Sequence, residues 1–214
     1  MRIVDFLNCK IDVSKKVFQP RIETEFWVKK AIKDLRFKIK DLRILDIFAG
    51  SGCIGIAILK ACPEFCRRMD FVDIDERAIA QTKINLEKNK IRAERYRVIK
   101  SNLFENLKSA KYDVIFANPP YVAKERINEV NEEVLREEPW ISFFAGKGGL
   151  FHIKKFFKEA KNHLKNEGII YLEFDPKQKE EIEKILKIVG YPNFQFRKDQ
   201  FKKYRWLRIK YVKK

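Results

Sequence analysis

The sequence has few of the residues that mark disordered, membrane-spanning or metal-binding proteins. Of its 214 residues only eight are glycine, seven proline and two histidine, while 45% are hydrophobic and 36% charged. This composition is typical of a globular chain. No apolar run reaches the roughly 18 residues that a membrane helix needs. The N-terminus lacks the apolar stretch of a secretory signal, so we expect a cytoplasmic protein without membrane contact.

Cysteine and histidine are placed in a way that argues against a metal centre. Three of the four cysteines lie between residues 53 and 66, whereas the two histidines, His152 and His163, are distant in the sequence. We therefore expect buried thiols in a reducing compartment and no bound metal. The chain also lacks a Walker-type phosphate-binding motif, a histidine pair at ligand spacing and a serine nucleophile elbow. These absences argue against nucleotide hydrolysis, metal-dependent hydrolysis and serine-based catalysis.

Positive charge is in excess. Lys and Arg number 47 against 30 Asp and Glu, which gives a formal net charge of +17. Residues 197–214 alone carry nine cationic side chains and one acid, Asp199. Such a field attracts nucleic acid or an acidic partner, so contact with nucleic acid or the ribosome is one expectation. A lysine-rich surface that meets only solvent is the other.

Strand and helix patterns alternate along the chain. The alternation predicts a doubly wound α/β domain with a mostly parallel sheet and an antiparallel last strand. We assign residues 1–17 to a short extension and residues 18–214 to a catalytic domain, and we expect a monomer. The irregular connection over 122–147 is of the kind that usually carries function. The patterns predict helices at 23–39, 148–164 and 177–190, and strands at 43–48, 71–75, 95–100, 112–117, 168–174, 194–198 and 204–212.

The first chemical motif is LDIFAGSGCIG, residues 45–55. Glycines at 50, 52 and 55, between a strand and a helix, let the backbone approach a ligand, and Asp73 at the next strand tip suits a ribose diol. Nicotinamide enzymes share this spacing. Two features favour S-adenosylmethionine instead. Asp46 precedes the glycines at a place suited to the ammonium of that cofactor, and the last strand pair is predicted to be antiparallel, as in class I methyltransferases. After the third strand, Asn102 would bond the adenine amino group and Leu103 would pack on its ring.

The second motif is FANPPYVAKE, residues 116–125, at the end of the fourth strand. Pro119 disfavours the helical region for Asn118, and neither Pro119 nor Pro120 has an N–H to compete for carbonyls. The Asn118 carboxamide oxygen and a backbone carbonyl would then hold both hydrogens of a planar NH₂ group, against which Tyr121 would lie flat. Such nitrogen is a poor nucleophile, so positioning must supply most of the catalysis. With the glycine-rich turn upstream, the motif resembles that of methyltransferases acting on planar nitrogen, either adenine N6 in DNA or RNA or the side-chain amide of glutamine, and leaves both open.

The flanking segments resemble one family. FQPRIETEFWV (18–28), EEPWISFFAGKGGLFHIKKFF (137–157), YLEFDPKQKEEIEKIL (171–186) and FRKDQFKKYRWLRI (196–209) are similar to segments of the HemK-type protein-(glutamine-N5) methyltransferases of bacterial peptide-chain release factors. The likeness runs from about residue 18 to residue 210. It implies the class I methyltransferase fold, S-adenosylmethionine as cofactor and a release factor as protein substrate.

The resemblance also implies roles for individual residues. Asn118, Pro119, Pro120 and Tyr121 would hold the glutamine, with Glu138 bracing the substrate loop. Pro20, Thr24 and Glu25 would lie near the donor methyl and the entrance. The residues implied to line the cofactor are Phe48, Ala49, Gly50, Ser51, Gly52, Asp73 and Leu103.

The sequence departs from the family in three places. Only 17 residues precede the first signature, so we expect the usual helical N-terminal domain to be missing. Ile22 replaces a proline, and Asn102 and Leu103 stand where the family has Asp and, in some members, Trp. We expect the chemistry to be unaffected. Two rival hypotheses remain: adenine-N6 methylation of RNA or DNA, favoured by the charge, and an inactive cofactor-binding scaffold that acts as a basic binding module.

Overall fold

The computed structural model describes residues 2–36, 41–64 and 66–213. Over these ranges, the strands are β1 (Ile3–Phe6), β2 (Cys9–Asp12), β3 (Leu42–Ile47), β4 (Cys66–Asp73), β5 (Tyr96–Lys100), β6 (Tyr112–Ala117), β7 (Leu164–Glu173), β8 (Phe194–Lys198) and β9 (Tyr204–Lys210). The helices are α1 (Ile22–Arg36), α2 (Cys53–Ala61), α3 (Glu76–Lys88), α4 (Glu132–Glu137), α5 (Phe151–Ala160) and α6 (Lys179–Val189).

Seven strands form one sheet in the order β5-β4-β3-β6-β7-β9-β8. Strands β3 to β7 are parallel, and β9 is antiparallel to both of its neighbours, β7 and β8. The predicted fold class, a mostly parallel seven-stranded sheet with an antiparallel last strand, is therefore confirmed. The strand order reverses between β3 and β6, and ligands of such folds bind in the crevice at the carboxyl ends of the strands beside that point.

Both faces of the sheet are covered by apolar packing, as the alternation of side chains along β6 shows. Val114 and Phe116 point into one buried cluster with α1 and α2, whereas Ile115 and Ala117 point into another with α5 and α6. Each face is thus shielded by helices, as a parallel sheet requires.

All three helices with predicted bounds differ in the structure, and the one expected over 177–190 is observed over Lys179–Val189. The helix expected over 148–164 begins only at Phe151, because Gly148 and Gly149 adopt positive φ values of 65° and 68°. Its last residues, 161–163, form a 3₁₀ turn. The helix expected over 23–39 is observed over Ile22–Arg36, and its remaining positions lie outside the described residues.

The first residues form a β-hairpin, β1–β2, that the sequence analysis did not predict. Phe6 and Ile11 are buried in the same cluster as α1 and α2. The Asn85 side chain on α3 bonds the hairpin at both the N–H and the C=O of Asp12, and donates as well to the carbonyl of Ser51. The hairpin is therefore tied through one amide to the glycine-rich turn.

No helix among the described residues is both long and apolar enough to cross a membrane. All four cysteines are buried as thiols rather than joined in disulfides, and burial raises the pKa of Cys9 to about 11 and that of Cys66 to about 12. Within the described ranges, no group of three or more His, Cys, Asp or Glu side chains is arranged to hold a metal ion.

Candidate active site

Three strands end side by side at one edge of the sheet, because Ile47 of β3 pairs with Val72 of β4 and with Ala117 of β6. Beyond Ile47 the chain turns sharply into α2. Gly52 precedes that helix with φ 78°, and a Cβ there would lie 3.0 Å from Cγ2 of Thr82, so glycine suits both the conformation and the space.

A cleft opens above these strand ends, and we call it the main cleft. It holds about 790 Å³ of empty space when its open mouth is included. Its mostly apolar lining includes Phe48, Gly50, Asp73, Ile74, Leu103 and Asn118.

Asp73 is held rigidly at the tip of β4. One carboxylate oxygen accepts a hydrogen bond from the N–H of Gly50 at 2.8 Å, and the other accepts from the N–H of Asp75 at 2.9 Å. Burial raises its pKa above the ordinary value, although the backbone bonds oppose this. Each oxygen keeps a second acceptor position, which is what a pair of ribose hydroxyls would need.

Leu103 and Asn102 follow β5 and also line the main cleft. Leu103 is buried with a left-handed φ of 53°, and the Asn102 amide nitrogen donates to Glu105 at 2.7 Å. The two residues thus lie where an adenine contact would be made, and that role stays a prediction.

Asp46 does not line the main cleft. Its side chain is buried beneath the turn, where Oδ2 accepts from the N–H of Gly55 at 2.9 Å and Oδ1 has no hydrogen-bond partner among the described residues. Burial raises its pKa to about 8. Ala49, Ser51 and Gly52 likewise form the turn behind the cleft rather than its lining. Contact between Asp46 and a cofactor ammonium remains a prediction.

The Asn-Pro-Pro-Tyr motif separates the main cleft from a neighbouring cavity, which we call the side pocket. Asn118 and Pro120 line both spaces, so Asn118 stands in their common wall. The structure thus brings Asn118 together with Asp73 on one side and with Tyr121 and Glu138 on the other. The side pocket is lined by Phe18, Arg21, Asn118, Pro119, Pro120, Tyr121, Val122, Val130, Glu138, Ser142 and Phe143.

Tyr121 is anchored from two directions. Its hydroxyl donates to Oε1 of Glu173 at 3.1 Å, and its main-chain carbonyl accepts from the Gln178 side-chain amide at 2.9 Å. Burial, and next the Glu173 charge, raises the pKa of Tyr121 well above its usual value, so the side chain stays a neutral phenol. Its predicted place, flat against the substrate amide, is not tested by these contacts.

Glu173, at the end of β7, is a fully buried carboxylate with three donors. Oε2 accepts from the Thr24 hydroxyl at 2.7 Å and from the Trp27 indole N–H at 2.6 Å, and Oε1 accepts from Tyr121. Burial raises its pKa, while these bonds and the Arg205 charge lower it. Glu173 therefore ties α1 to the strand tip that carries Asn118.

Phe18 and Arg21 of the first signature line the side pocket, whereas Thr24 and Glu25, in the first turn of α1, contact the site only indirectly. The Thr24 hydroxyl donates a hydrogen bond to Glu173, and the Glu25 carboxylate accepts one from the N–H of Leu7 in the hairpin at 3.1 Å. Neither of these residues, nor Pro20, lines the main cleft or the side pocket. Their predicted nearness to a donor methyl therefore stays a prediction.

Glu138 is buried, at 4% exposure, and is not part of an exposed acidic run. Its Oε1 accepts from the Arg21 guanidinium and from the N–H of Gln19 at 3.3 Å. Burial raises its pKa, and Arg21 opposes the rise. The structure thus puts Glu138 in the wall of the side pocket, held from the segment before α1.

Sequence reasoning gave no role to Glu173 or Gln178. The Gln178 amide nitrogen bonds three carbonyls, those of Tyr121, Gly148 and Gly149, and a Cβ on Gly149 would lie 2.1 Å from the Tyr121 oxygen. Both side chains lie in the segment 171–186 that carries part of the resemblance, and this was the available signal.

The fold and the two adjoining spaces define a class I methyltransferase. The methyltransferase small domain model matches residues 24–141. The chain is 32% identical over 195 residues to the release factor glutamine methyltransferase of Thermodesulfovibrio yellowstonii, covering 91% of this chain and 68% of that protein. It is also 32% identical over 169 residues to the ribosomal protein uL3 glutamine methyltransferase of Francisella tularensis, covering 78% and 52%.

The chain belongs to the methyltransferase small domain family, and the resemblance to HemK-type release factor glutamine methyltransferases is confirmed. A solved structure with the same fold is the ribosomal protein L11 methylase of Lactobacillus delbrueckii subsp. bulgaricus, with a TM-score of 0.64, 20% identity, and coverage of 92% of this chain and 82% of that one. The chain spans between about half and two thirds of the length of the two glutamine methyltransferases.

Proposed function

We propose that this protein transfers a methyl group from S-adenosylmethionine to the side-chain amide nitrogen of a glutamine, in the Gly-Gly-Gln motif of a peptide-chain release factor. The observation that carries the proposal is the position of Asn118 in the wall between the main cleft and the side pocket. The sequence relatives named as glutamine methyltransferases support it.

The main cleft fits the donor. Asp73 would accept the ribose hydroxyls, and Leu103 and Ile74 offer apolar contacts to a purine. The orphaned Oδ1 of Asp46, buried behind the turn, suits a nearby cation. When bound, S-adenosylmethionine supplies a methyl group made electrophilic by its positively charged sulfur.

The side pocket fits the acceptor amide. Asn118 would accept one hydrogen of the NH₂ group and a backbone carbonyl the other, which orients the nitrogen toward the cleft. Pro119 keeps the Asn118 backbone extended, and Glu173 and Gln178 fix Tyr121 behind it. Since the amide nitrogen is a weak nucleophile, alignment and exclusion of water are the help that these residues give.

The proposal is tested with tritiated S-adenosylmethionine, the purified protein and a cognate release factor. We expect label on the wild-type factor and none on a factor whose Gly-Gly-Gln glutamine is replaced by alanine. No label on wild-type factor, or equal label on both, contradicts it.

The charge of +17 favours a second candidate, methylation of adenine N6 in RNA or DNA, because the same amide geometry would hold an aromatic amine. Label that resists protease and is released by nuclease would support this candidate over the first. We further propose a cytoplasmic monomer whose basic surface contacts nucleic acid or the ribosome.

A further inference from the structure

Glu138 lines the side pocket, and one of its two carboxylate oxygens is buried without a donor. Oε1 of Glu138 is used by Arg21 and Gln19, whereas Oε2 has no hydrogen-bond partner among the described residues. A buried polar atom left without a hydrogen-bond partner destabilises the folded protein. An oxygen of this kind in a pocket wall indicates that the occupant supplies the donor.

The Glu138 side chain is held in place on both sides. Pro139 follows it and restricts its backbone, and Arg21, whose guanidinium lies 5.0 Å from the centre of the Phe18 ring, holds Oε1. The preceding residue differs, because Glu137 has a partly exposed side chain that bonds Gln19 and pairs with Arg2 outside the pocket. Oε2 of Glu138 is therefore a fixed acceptor.

The surroundings select the kind of donor. The other hydroxyls of the pocket are engaged, since Tyr121 donates to Glu173 and Ser142 donates to the carbonyl of Pro139 at 2.7 Å. Because Arg21 already balances the Glu138 charge, a second cation would gain little there. A neutral N–H group suits the site, since Val122 and Phe143 make the remaining wall apolar.

We propose that Oε2 of Glu138 accepts a main-chain N–H of the acceptor peptide, at the glutamine or at one of the two residues before it. This inference rests on the proposed function. On this proposal the side pocket binds two parts of the substrate: Asn118 binds the side-chain amide, and Glu138 binds the peptide backbone. Glycines beside the glutamine would let the backbone reach a buried oxygen, because they carry no side chain.

The test is a cycle that combines enzyme variants with peptide variants. The enzymes are wild type, Glu138→Gln and, as matched control, Glu137→Gln. The peptides are a Gly-Gly-Gln segment and three analogues, each with one main-chain nitrogen of the motif methylated. We measure kcat/KM for tritium transfer, with thermal unfolding and cofactor Kd as checks on folding.

With the wild-type enzyme, we expect kcat/KM for one of the methylated peptides to be about 10- to 100-fold lower than for the unmodified peptide. This factor corresponds to the loss of one hydrogen bond to a charged group. The Glu138→Gln enzyme should show a similar fall in kcat/KM on the unmodified peptide. Methylation of the same nitrogen should then lower the kcat/KM of this variant little further, because the hydrogen bond is already lost. Glu137→Gln should match wild type throughout. If Glu138→Gln does not fold, Glu138→Asp replaces it. We then expect a smaller fall in kcat/KM, which again does not multiply with the effect of methylation at the contacted nitrogen.

Two results would overturn the contact. One is that the effects of Glu138→Gln and of N-methylation on kcat/KM multiply for all three methylated peptides. The other is that the Glu138→Gln enzyme is as active as wild type. The outcome is distinct from failure of the proposed function, in which wild type labels neither the unmodified peptide nor the intact release factor. In that case the inference fails as well.

Discussion

The two spaces on either side of Asn118 are built in different ways. The main cleft is lined mostly by segments at the ends of β3, β4 and β5, and its key carboxylate, Asp73, is held by backbone N–H groups two and 23 residues away. The side pocket depends on side chains brought together over long distances, such as Glu173 with Thr24, 149 residues apart. The carboxylate of the main cleft is thus held by the backbone at neighbouring strand ends, whereas the support of the side pocket depends on side chains from distant parts of the chain.

The largest expected effect comes from breaking the wall that the two spaces share. Asn118→Ala removes the side-chain acceptor for the substrate NH₂ group, so we expect kcat/KM for methyl transfer to fall about 100- to 1,000-fold. Cofactor Kd, measured by calorimetry, should change little, because Asp73 and the turn remain.

A variant enzyme with near-normal transfer would show that this amide does not hold the acceptor. If Asn118→Ala also left the cellular function intact, the inactive-scaffold hypothesis would gain support instead.

The main cleft can be weakened alone through Asp73→Asn. The backbone bonds to Gly50 and Asp75 are partly kept, but the ribose hydroxyls lose a charged acceptor, so cofactor Kd should rise about 10- to 100-fold. At saturating cofactor, kcat should stay near wild type. Glu76→Gln, on the exposed side of the neighbouring helix, is the control and should leave Kd unchanged. A fall in kcat as large as the rise in Kd would mean that the two spaces are not separable.

The pH dependence of stability tests whether the Asp46 carboxyl, buried beneath the turn of the main cleft, is neutral in the folded protein. Its pKa in the folded protein, about 8, lies above its ordinary value of 3.8, so the folded state keeps a proton that the unfolded chain releases between those values. The free energy of unfolding should therefore fall as the pH rises through that window, by up to about 1.4 kcal/mol per pH unit relative to Asp46→Asn. Urea unfolding of both proteins across the window measures it. Parallel pH profiles would show that Asp46 is not neutral in the folded state.

The smallest effect is expected from the support of the side pocket. Gln178→Ala removes three hydrogen bonds behind Tyr121, and we expect kcat/KM to fall about fivefold to tenfold with cofactor Kd unchanged. Gln200→Ala, in the exposed β8–β9 turn, is the control. If Gln178→Ala changed only the cofactor Kd, the Gln178 hydrogen bonds would support the main cleft rather than the side pocket.

The same contrast explains what could be predicted from the sequence. The strands, the glycine-rich turn and the position of Asn118 follow from local patterns, because apolar runs, glycines and prolines act on the chain near them. Glu173 and Gln178 carry no such local mark, since their partners are decided by tertiary packing. For the same reason the burial of Glu138 and the use of Thr24 by Glu173 became visible only in the folded chain.

The central claim is that Asn118 presents a planar amide nitrogen to a methyl donor in the main cleft. A crystal structure with S-adenosylhomocysteine and a Gly-Gly-Gln peptide tests it most directly. The account predicts the ribose at Asp73, the sulfur facing Asn118, and the Asn118 carboxamide oxygen within hydrogen-bond distance of the glutamine NH₂. A donor bound elsewhere, or an Asn118 side chain turned away from the glutamine, would contradict it.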